Sequence, residues 1–271
     1  MTELPEDEVC TLLTTIRNTY HYDFTGYAQA SLRRRLRTGL TKLGCPDLAA
    51  LQRRITADPA AFQELLGVLT VHVSDLFRDP SYHRFLRQEV CPRLATWPSL
   101  KLWVAGCSTG EEAWSLAILL AETDLLSRSL IYATDIDPVA LRQAEDGVYD
   151  IDRLPRFSQN YREAGGSGSL SDWYAAHYGR ARFDDRLRRR MVFADHDLAT
   201  DAVFSEVQFV SCRNVLIYFD RGLQDRAVGL FAEALCRGGV LGIGSKETLH
   251  FSSHNHAFEL LSHEERVYRR R

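Results

Sequence analysis

The chain has 271 residues, 45% of them hydrophobic, and a formal net charge of −3. That length suits one large domain or two ordinary ones with ample core, and the mild acidity excludes polyanion binding over the whole surface, so any basic site must be local. Six widely spaced cysteines (Cys10, Cys45, Cys91, Cys107, Cys212 and Cys236) form no C-x-x-C pair, which argues against zinc and against a disulfide framework and fits a reducing cytosol. The start, MTELPEDEV, is acidic without an apolar signal core, and no apolar run approaches the ~20 residues that span a bilayer. The expectation is a soluble cytoplasmic protein that does not insert into membranes.

The first ~90 residues show no convincing strand and read as short amphipathic helices. Val9, Leu12, Leu13, Ile16 and Tyr20 mark the first, and Leu32, Leu36, Leu40 and Leu43 the second, stopped by Gly44 and Pro46. Leu48, Leu51 and Ile55 mark a third that breaks near Pro59; Phe62, Leu65, Leu66 and Leu69 mark a fourth. Residues 71–98 read as a joining stretch broken by Pro80, Pro92 and Pro98. From Leu100 onward strands and helices alternate, the pattern of a parallel α/β sheet. Further strands are expected at Met191–Ala194, Val207–Cys212 and Val240–Ile243, and helices near Pro138–Ala144 and Arg221–Cys236. Residues 151–190 do not fit the alternation. They hold the glycine-rich run GGSGS, expected to be flexible, and read as an inserted subdomain. The expected division is 1–92, an all-α domain with its linker, and 93–271, an α/β domain carrying that insertion.

Residues 100–137 are the most informative. Leu100, Leu102 and Val104 alternate as a strand; Gly106 and Gly110 flank a turn; Ala113, Leu116, Ala117 and Leu120 recur at helical spacing; a second strand ends at Asp135. Such a βαβ unit builds a nucleotide-type pocket in which glycines admit a bound molecule and the acid accepts hydrogen bonds from ribose hydroxyls. Two glycines four apart are not G-x-G-x-x-G, and Glu111 and Glu112 at the helix start would repel a phosphate. A nicotinamide-dependent oxidoreductase is thereby disfavoured. A cofactor with a cationic centre and an amino acid portion fits better, and S-adenosylmethionine has both. The bland alternative is an ordinary helix start with acidic residues in its first turn.

Four motifs in order carry a family resemblance: HVSDLFRDP (72–80), AGCSTGEEAWS (105–115), ATDID (133–137) and CRNVLIYFD (212–220). They resemble the CheR family of chemotaxis-receptor glutamate O-methyltransferases over nearly the whole chain. The resemblance implies an α/β, Rossmann-like S-adenosylmethionine-dependent methyltransferase sheet with a small inserted subdomain, preceded by an all-α domain. It further implies that Glu112 contacts the amino acid or sulfonium side of the cofactor, Asp135 its ribose, and Asp197 with Leu198 its adenine. Cys212 and Arg213 are implied to close over the cofactor, His72 and Ser74 to contact it ahead of Arg78, and Arg78 and Tyr218 to line the methyl-transfer site. His72, Ser74 and Asp197 stand where the family has Asn, Thr and Asn, and GSKE (244–247) keeps only the outer residues of G-H-S-E. These substitutions motivate the alternative of a non-catalytic cofactor- or receptor-binding adaptor with the same fold.

Methyl transfer to a carboxylate needs alignment and desolvation more than proton transfer, because glutamate, with a pKa of about 4.3, is already an anion. Arg78 suits a two-pronged grip on that carboxylate; Tyr218 offers a phenol to orient the acceptor oxygen or the methyl group, or is simply a buried tyrosine. No metal is expected. Arg33, Arg34 and Arg37, crowded on the second helix with Arg35, are expected to present a basic face to glutamate-rich receptor helices rather than to nucleic acid. The short stretch YGRARFDDR (178–186) suggests no dependence on a peptide tether at the receptor's C-terminus.

Overall fold

Four helices open the chain in the computed structural model, which describes residues 4–271: α1 (Glu6–Tyr20), α2 (Gln29–Lys42), α3 (Leu48–Ala57) and α4 (Pro59–Leu69). The apolar spacing that marked them becomes their packed face, with Leu12, Ile16, Leu36, Leu51, Phe62 and Leu66 fully buried. Asp47 caps α3 by accepting from the Ala50 amide, and Asp58 caps α4 by accepting from the Ala60 amide.

Pro80 opens a helix instead of breaking one. The helical segment α5 (Pro80–Phe85), a π-helical turn at Leu86–Val90 and α6 (Cys91–Leu94) run on without interruption. Proline is accommodated in a first helical turn, whose N–H groups have no intrahelical acceptor. The wide π turn just ahead of Pro92 loosens the ladder where that residue has no proton to donate. Tyr82, Leu86, Val90 and Leu94 of this stretch pack with the sheet, not with the four helices.

Chain order then gives β1 (Leu100–Ala105), α7 (Glu111–Glu122), β2 (Ser129–Asp135) and α8 (Pro138–Asp146), followed by the inserted elements β3 (Val148–Asp150), α9 (Leu154–Glu163), β4 (Tyr174–His177), β5 (Arg180–Phe183) and α10 (Asp185–Arg188). The main sheet resumes with β6 (Met191–Asp195), β7 (Val207–Cys212), α11 (Arg221–Ala234), β8 (Leu235–Ile243), β9 (Phe258–Ser262) and β10 (Val267–Arg270). Its order is β6-β2-β1-β7-β8-β10-β9, parallel as far as β8 and closed by the antiparallel hairpin of β9 and β10. Along β1 the pleat sends Leu102 and Val104 to one face and Trp103 and Ala105 to the other. The second face shares a continuous core with α11 and the four N-terminal helices.

Other parts of the sequence reading also need correction. The helix expected to reach Cys236 stops at Ala234, because Leu235 begins a nine-residue β8. The closing hairpin had no counterpart in the sequence reading. The GGSGS run is not a loose loop: Gly166 donates to the Tyr161 carbonyl at 3.0 Å, Gly168 donates to the Tyr161 hydroxyl at 3.1 Å, and Ser169 and Asp172 form a capping box. A side chain at Gly166 would stand 2.2 Å from the Tyr161 ring, so this glycine permits close packing. The insertion itself is a three-stranded antiparallel sheet in the order β3-β5-β4. No helix among the described residues is long and apolar enough to cross a membrane.

Candidate active site

Strand β1 pairs with β2 on one side and β7 on the other, so the loops leaving these strands diverge and open a cleft at their carboxyl ends. The cleft together with its open mouth spans about 970 Å³. His72, Ser74, Arg78, Glu112, Asp135, Asp197, Leu198, Arg213 and Tyr218 all border it, although they span 147 positions of sequence. Cys212 does not: it is the last residue of β7 and its side chain is 0% exposed inside the core. Its contribution is to deliver Arg213.

The glycine turn is held by two amides, Gly106 and Cys107, both donating to the Thr134 carbonyl at 2.8 Å. Gly106 adopts φ 72, and a Cβ there would meet Val215 at 2.5 Å, so glycine lets this turn approach the loop after β7. Asp135 is fixed at both oxygens: Oδ2 accepts from the Ser108 amide at 2.7 Å and Oδ1 from the Asp137 amide at 3.1 Å. Burial raises its pKa above the ordinary carboxylate value against the pull of those bonds.

The two glutamates of the helix start have different surroundings. Glu111 is 0% exposed and turned away from the cleft, pairing with Arg153 at 2.6 Å and accepting from the Thr109 hydroxyl at 2.6 Å. Glu112 borders the cleft and accepts from the Ser211 hydroxyl. Burial pushes its pKa up, moderated by nearby Arg213. The acidic wall therefore presents one carboxylate from this turn, not the two assumed from sequence.

Arg78 sits between two residues in left-handed conformations, Phe77 (φ 50) and Asp79 (φ 55). Ser108 (φ 52) and Asn214 (φ 59) also adopt such φ values at the cleft. Each costs ~1–3 kcal/mol for a non-glycine residue and persists where its surroundings over-determine it. Here the Phe77 amide donates to the Ser115 hydroxyl at 2.7 Å, and Asp79 pairs with Arg213 at 2.8 Å. Arg213 is further committed by stacking on Tyr82 at 3.8 Å. Arg78 itself donates only to the Val73 carbonyl, at 2.8 Å.

His72 is networked throughout. Nε2 lies 2.8 Å from both Asp137 Oδ2 and the Thr70 hydroxyl, and Nδ1 lies 3.0 Å from the Ser108 hydroxyl. Burial opposes its charged form, but the hydrogen bond to Asp137 and the charges of Asp135, Asp137 and Glu111 leave its pKa raised. Asp197 accepts from the Ala199 amide at 2.8 Å, which sets the turn that exposes Leu198 to the cleft.

The basic face expected on α2 is smaller than foreseen. Arg34 is exposed, but Arg33 and Arg37 are half-buried, Arg33 donating to the Leu4 carbonyl; none of the three borders the cleft. Instead Arg35 and Tyr27 reach it from the helical part, and the sequence reading missed both. Arg35 had a signal, since it lies on the Leu32–Leu36–Gly39 stripe that is buried in α2. Tyr27 had none; it enters through a bridge to Phe219 beyond the reach of local pattern.

The cleft thus offers a doubly anchored acid at the end of β2, a second acid at the start of α7 and close backbone approach at Gly106. This donor set fits an adenosyl group with an amino acid tail. Burial raises the pKa of the Cys107 and Cys212 thiols well above the usual range, so neither is an activated nucleophile. Among the described residues no three His, Cys, Asp or Glu side chains gather in a metal-holding group.

Comparison with known proteins agrees. Residues 72–267 match the family described as CheR methyltransferase, SAM binding domain, and residues 7–70 match CheR methyltransferase, all-alpha domain. A Pseudomonas putida protein carrying the name Cher3 is 50% identical over 263 residues, covering 97% of this chain and 96% of its own. The chemotaxis protein methyltransferase of Listeria monocytogenes is 30% identical with 84% of each chain covered. Chemotaxis protein methyltransferase 2 of Pseudomonas aeruginosa is 30% identical, covering 82% of this chain and 78% of its own. With both family models matched in order along the chain, it belongs to the CheR methyltransferases.

Proposed function

We propose that this methyltransferase esterifies glutamate side chains on the cytoplasmic helices of chemoreceptors. The names of the Listeria and Pseudomonas aeruginosa relatives support that acceptor class. S-adenosylmethionine supplies a methyl group on a sulfonium: as a carboxylate oxygen bonds to that carbon, the S–C electron pair stays on sulfur, leaving a methyl ester and S-adenosylhomocysteine with no proton moved. The chain's task is then to align the partners and exclude water. In this reading Asp135 holds the ribose, Asp197 and Leu198 border the adenine, and Glu112, His72 and Ser74 surround the amino acid end. Arg213 keeps the Arg78 segment in place through Asp79.

The observation that carries the proposal is Arg78. Held between two left-handed residues, it forms no ion pair among the described residues and borders the cleft with Tyr218, Asp135 and Glu112. A free guanidinium is suited to an incoming carboxylate. Arg34 on the outer face of α2 would contribute charge steering that weakens as salt rises. The β4–β5 turn has only two residues, Tyr178 (φ 48) and Gly179 (φ 75), which supports receptor recognition without a tethering peptide.

The test is transfer of labelled methyl from S-adenosylmethionine to a chemoreceptor cytoplasmic fragment. Base-labile label on glutamates is expected. Arg78→Ala should lower transfer about 30- to 100-fold, the equivalent of a lost charged hydrogen bond, while S-adenosylhomocysteine binding stays within a few-fold. Base-stable label, or no transfer by a protein that binds the cofactor, would reject the glutamate assignment.

A further inference from the structure

The stretch between β8 and β9 presents a phenylalanine to solvent. Phe251 is 72% exposed, yet the main chain beside it is firmly held. Asp225 of α11 accepts from the Ser252 hydroxyl at 2.6 Å and from the Ser253 amide and hydroxyl at 2.8 Å each. The Arg221 guanidinium stacks on the Phe251 ring at 5.4 Å. Arg221 opens α11 three residues after Tyr218, and Ile217, directly before Tyr218, is 40% exposed. Beyond Phe251 lies a groove shared with Leu260, 48% exposed on the edge strand β9, and with Arg266.

A single exposed apolar side chain means little, but a series of them on fixed backbone marks a contact surface. Here the series starts at the turn that carries a cleft residue, so it continues the active-site mouth toward the edge of the sheet. The charges along it have one free sign. Arg221 and Arg266 pair with no carboxylate among the described residues. Glu259, in the groove, is paired with Arg269, and Asp225 is spent on the two serines. Apolar anchors flanked by unpaired cations complement a helix whose apolar stripe is bordered by acids. A second copy of this chain would bring the same cations to the contact.

We propose that Ile217, Arg221, Phe251 and the groove beyond them dock the stretch of acceptor helix next to the glutamate being methylated. The proposal rests on the glutamate reading above and gives the remainder of the acceptor a place to lie. This surface sets affinity for the acceptor without touching the reacting atoms.

The experiment compares wild type with Phe251→Ser and Arg221→Glu. The S-adenosylhomocysteine-saturated proteins are titrated calorimetrically with a chemoreceptor cytoplasmic fragment, and methyl-transfer kinetics are measured on the same fragment. Both side chains are exposed, and a glutamate at the first position of α11 suits the helix dipole, so the fold should hold. Each variant is expected to bind the fragment about tenfold or more weakly and to raise KM by a similar factor. S-adenosylhomocysteine affinity and kcat should stay within about twofold, as expected for a contact remote from the reacting atoms. The Arg221→Glu loss should shrink as salt rises, while the Phe251→Ser loss persists. Fragment affinity unchanged in Phe251→Ser overturns the docking face; were that variant to unfold, Arg221→Glu carries the same test. A wild-type dimer that Phe251→Ser splits in sedimentation would assign the face to a second copy and overturn the proposal. A fragment that binds through Phe251 yet gains no base-labile methyl overturns the glutamate reading and leaves the docking face standing.

Discussion

Replacing His72 with asparagine removes a cleft imidazole whose pKa is raised by its acidic neighbours. The side chain lost is 22% exposed, and its partner Asp137 is 3% exposed at 2.8 Å, a geometry in which a charged hydrogen bond contributes ~1.5–3 kcal/mol. Asp137 would not be stranded, because it still accepts from Thr70 (3.3 Å), the Val139 amide (2.8 Å) and the Ala140 amide (3.4 Å). The low end, ~1.5 kcal/mol, is therefore expected, and at ~2–4 °C per kcal/mol for a chain of this size the melting temperature should fall by about 3–6 °C at pH 6. The sign follows from the direction of each shift. The folded pKa of His72 is raised, so its contribution is complete below the unfolded value of about 6.5 and disappears as pH rises through the folded value. Asp137 is lowered: burial raises its pKa, but the bond to His72 and those to the two amides outweigh that. Its contribution is present above about pH 3.9 and is lost as pH falls through the folded value. Thermal unfolding of wild type and His72→Asn from pH 5 to 9 should show the widest gap near pH 6, shrinking by at least half toward pH 9. A gap that stays constant, or widens with pH, would refute the charged pairing.

Arg153→Ala should destabilise the fold by ~3–5 kcal/mol, because it leaves Glu111 buried without its counter-charge. It also releases the Ser74 carbonyl, so calorimetry should record weaker S-adenosylhomocysteine binding alongside the lower melting temperature. Glu247→Gln should slow turnover while sparing cofactor affinity. The Glu247 carboxylate accepts amides from Gly244, Asn214 and Ile217, tying the end of β8 to the loop that carries Tyr218. An amide NH2 facing those donors costs ~1–3 kcal/mol, and steady-state kinetics with an unchanged S-adenosylhomocysteine dissociation constant would distinguish a displaced Tyr218 from a damaged cofactor pocket.

The βαβ unit was legible because its signals are local. Alternation over 100–104, glycines at 106 and 110, and an acid ending the next strand all fall within about three dozen residues, and the pleat and helix periods report them directly. The four N-terminal helices were legible for the same reason. What stayed hidden depended on contacts distant in sequence. Arg35 was grouped with its neighbours as a surface charge, since composition sees four arginines in five residues while the helix sends one inward. The opposite fates of Glu111 and Glu112 are decided by Arg153 and Ser211, 42 and 99 residues away. Pro80 and the GGSGS run misled because proline and glycine report backbone permission, and whether that becomes a break, a helix start or a tight packing site is settled by neighbours such as Tyr161. Cys212 misled differently: a motif residue beside the cleft need not point into it.

The short bridge between residues 26–28 and 218–220 has a bearing on modularity. Ala28 donates to the Tyr218 carbonyl and Asp220 to the Gly26 carbonyl, both at 2.8 Å, while Tyr27 and Phe219 meet edge to face. Tyr218 is thus pinned on its main chain by the same helical segment that supplies Arg35 against its ring. A graft that exchanged the leading helices between relatives would replace one wall of the cleft as well, so turnover should change with it.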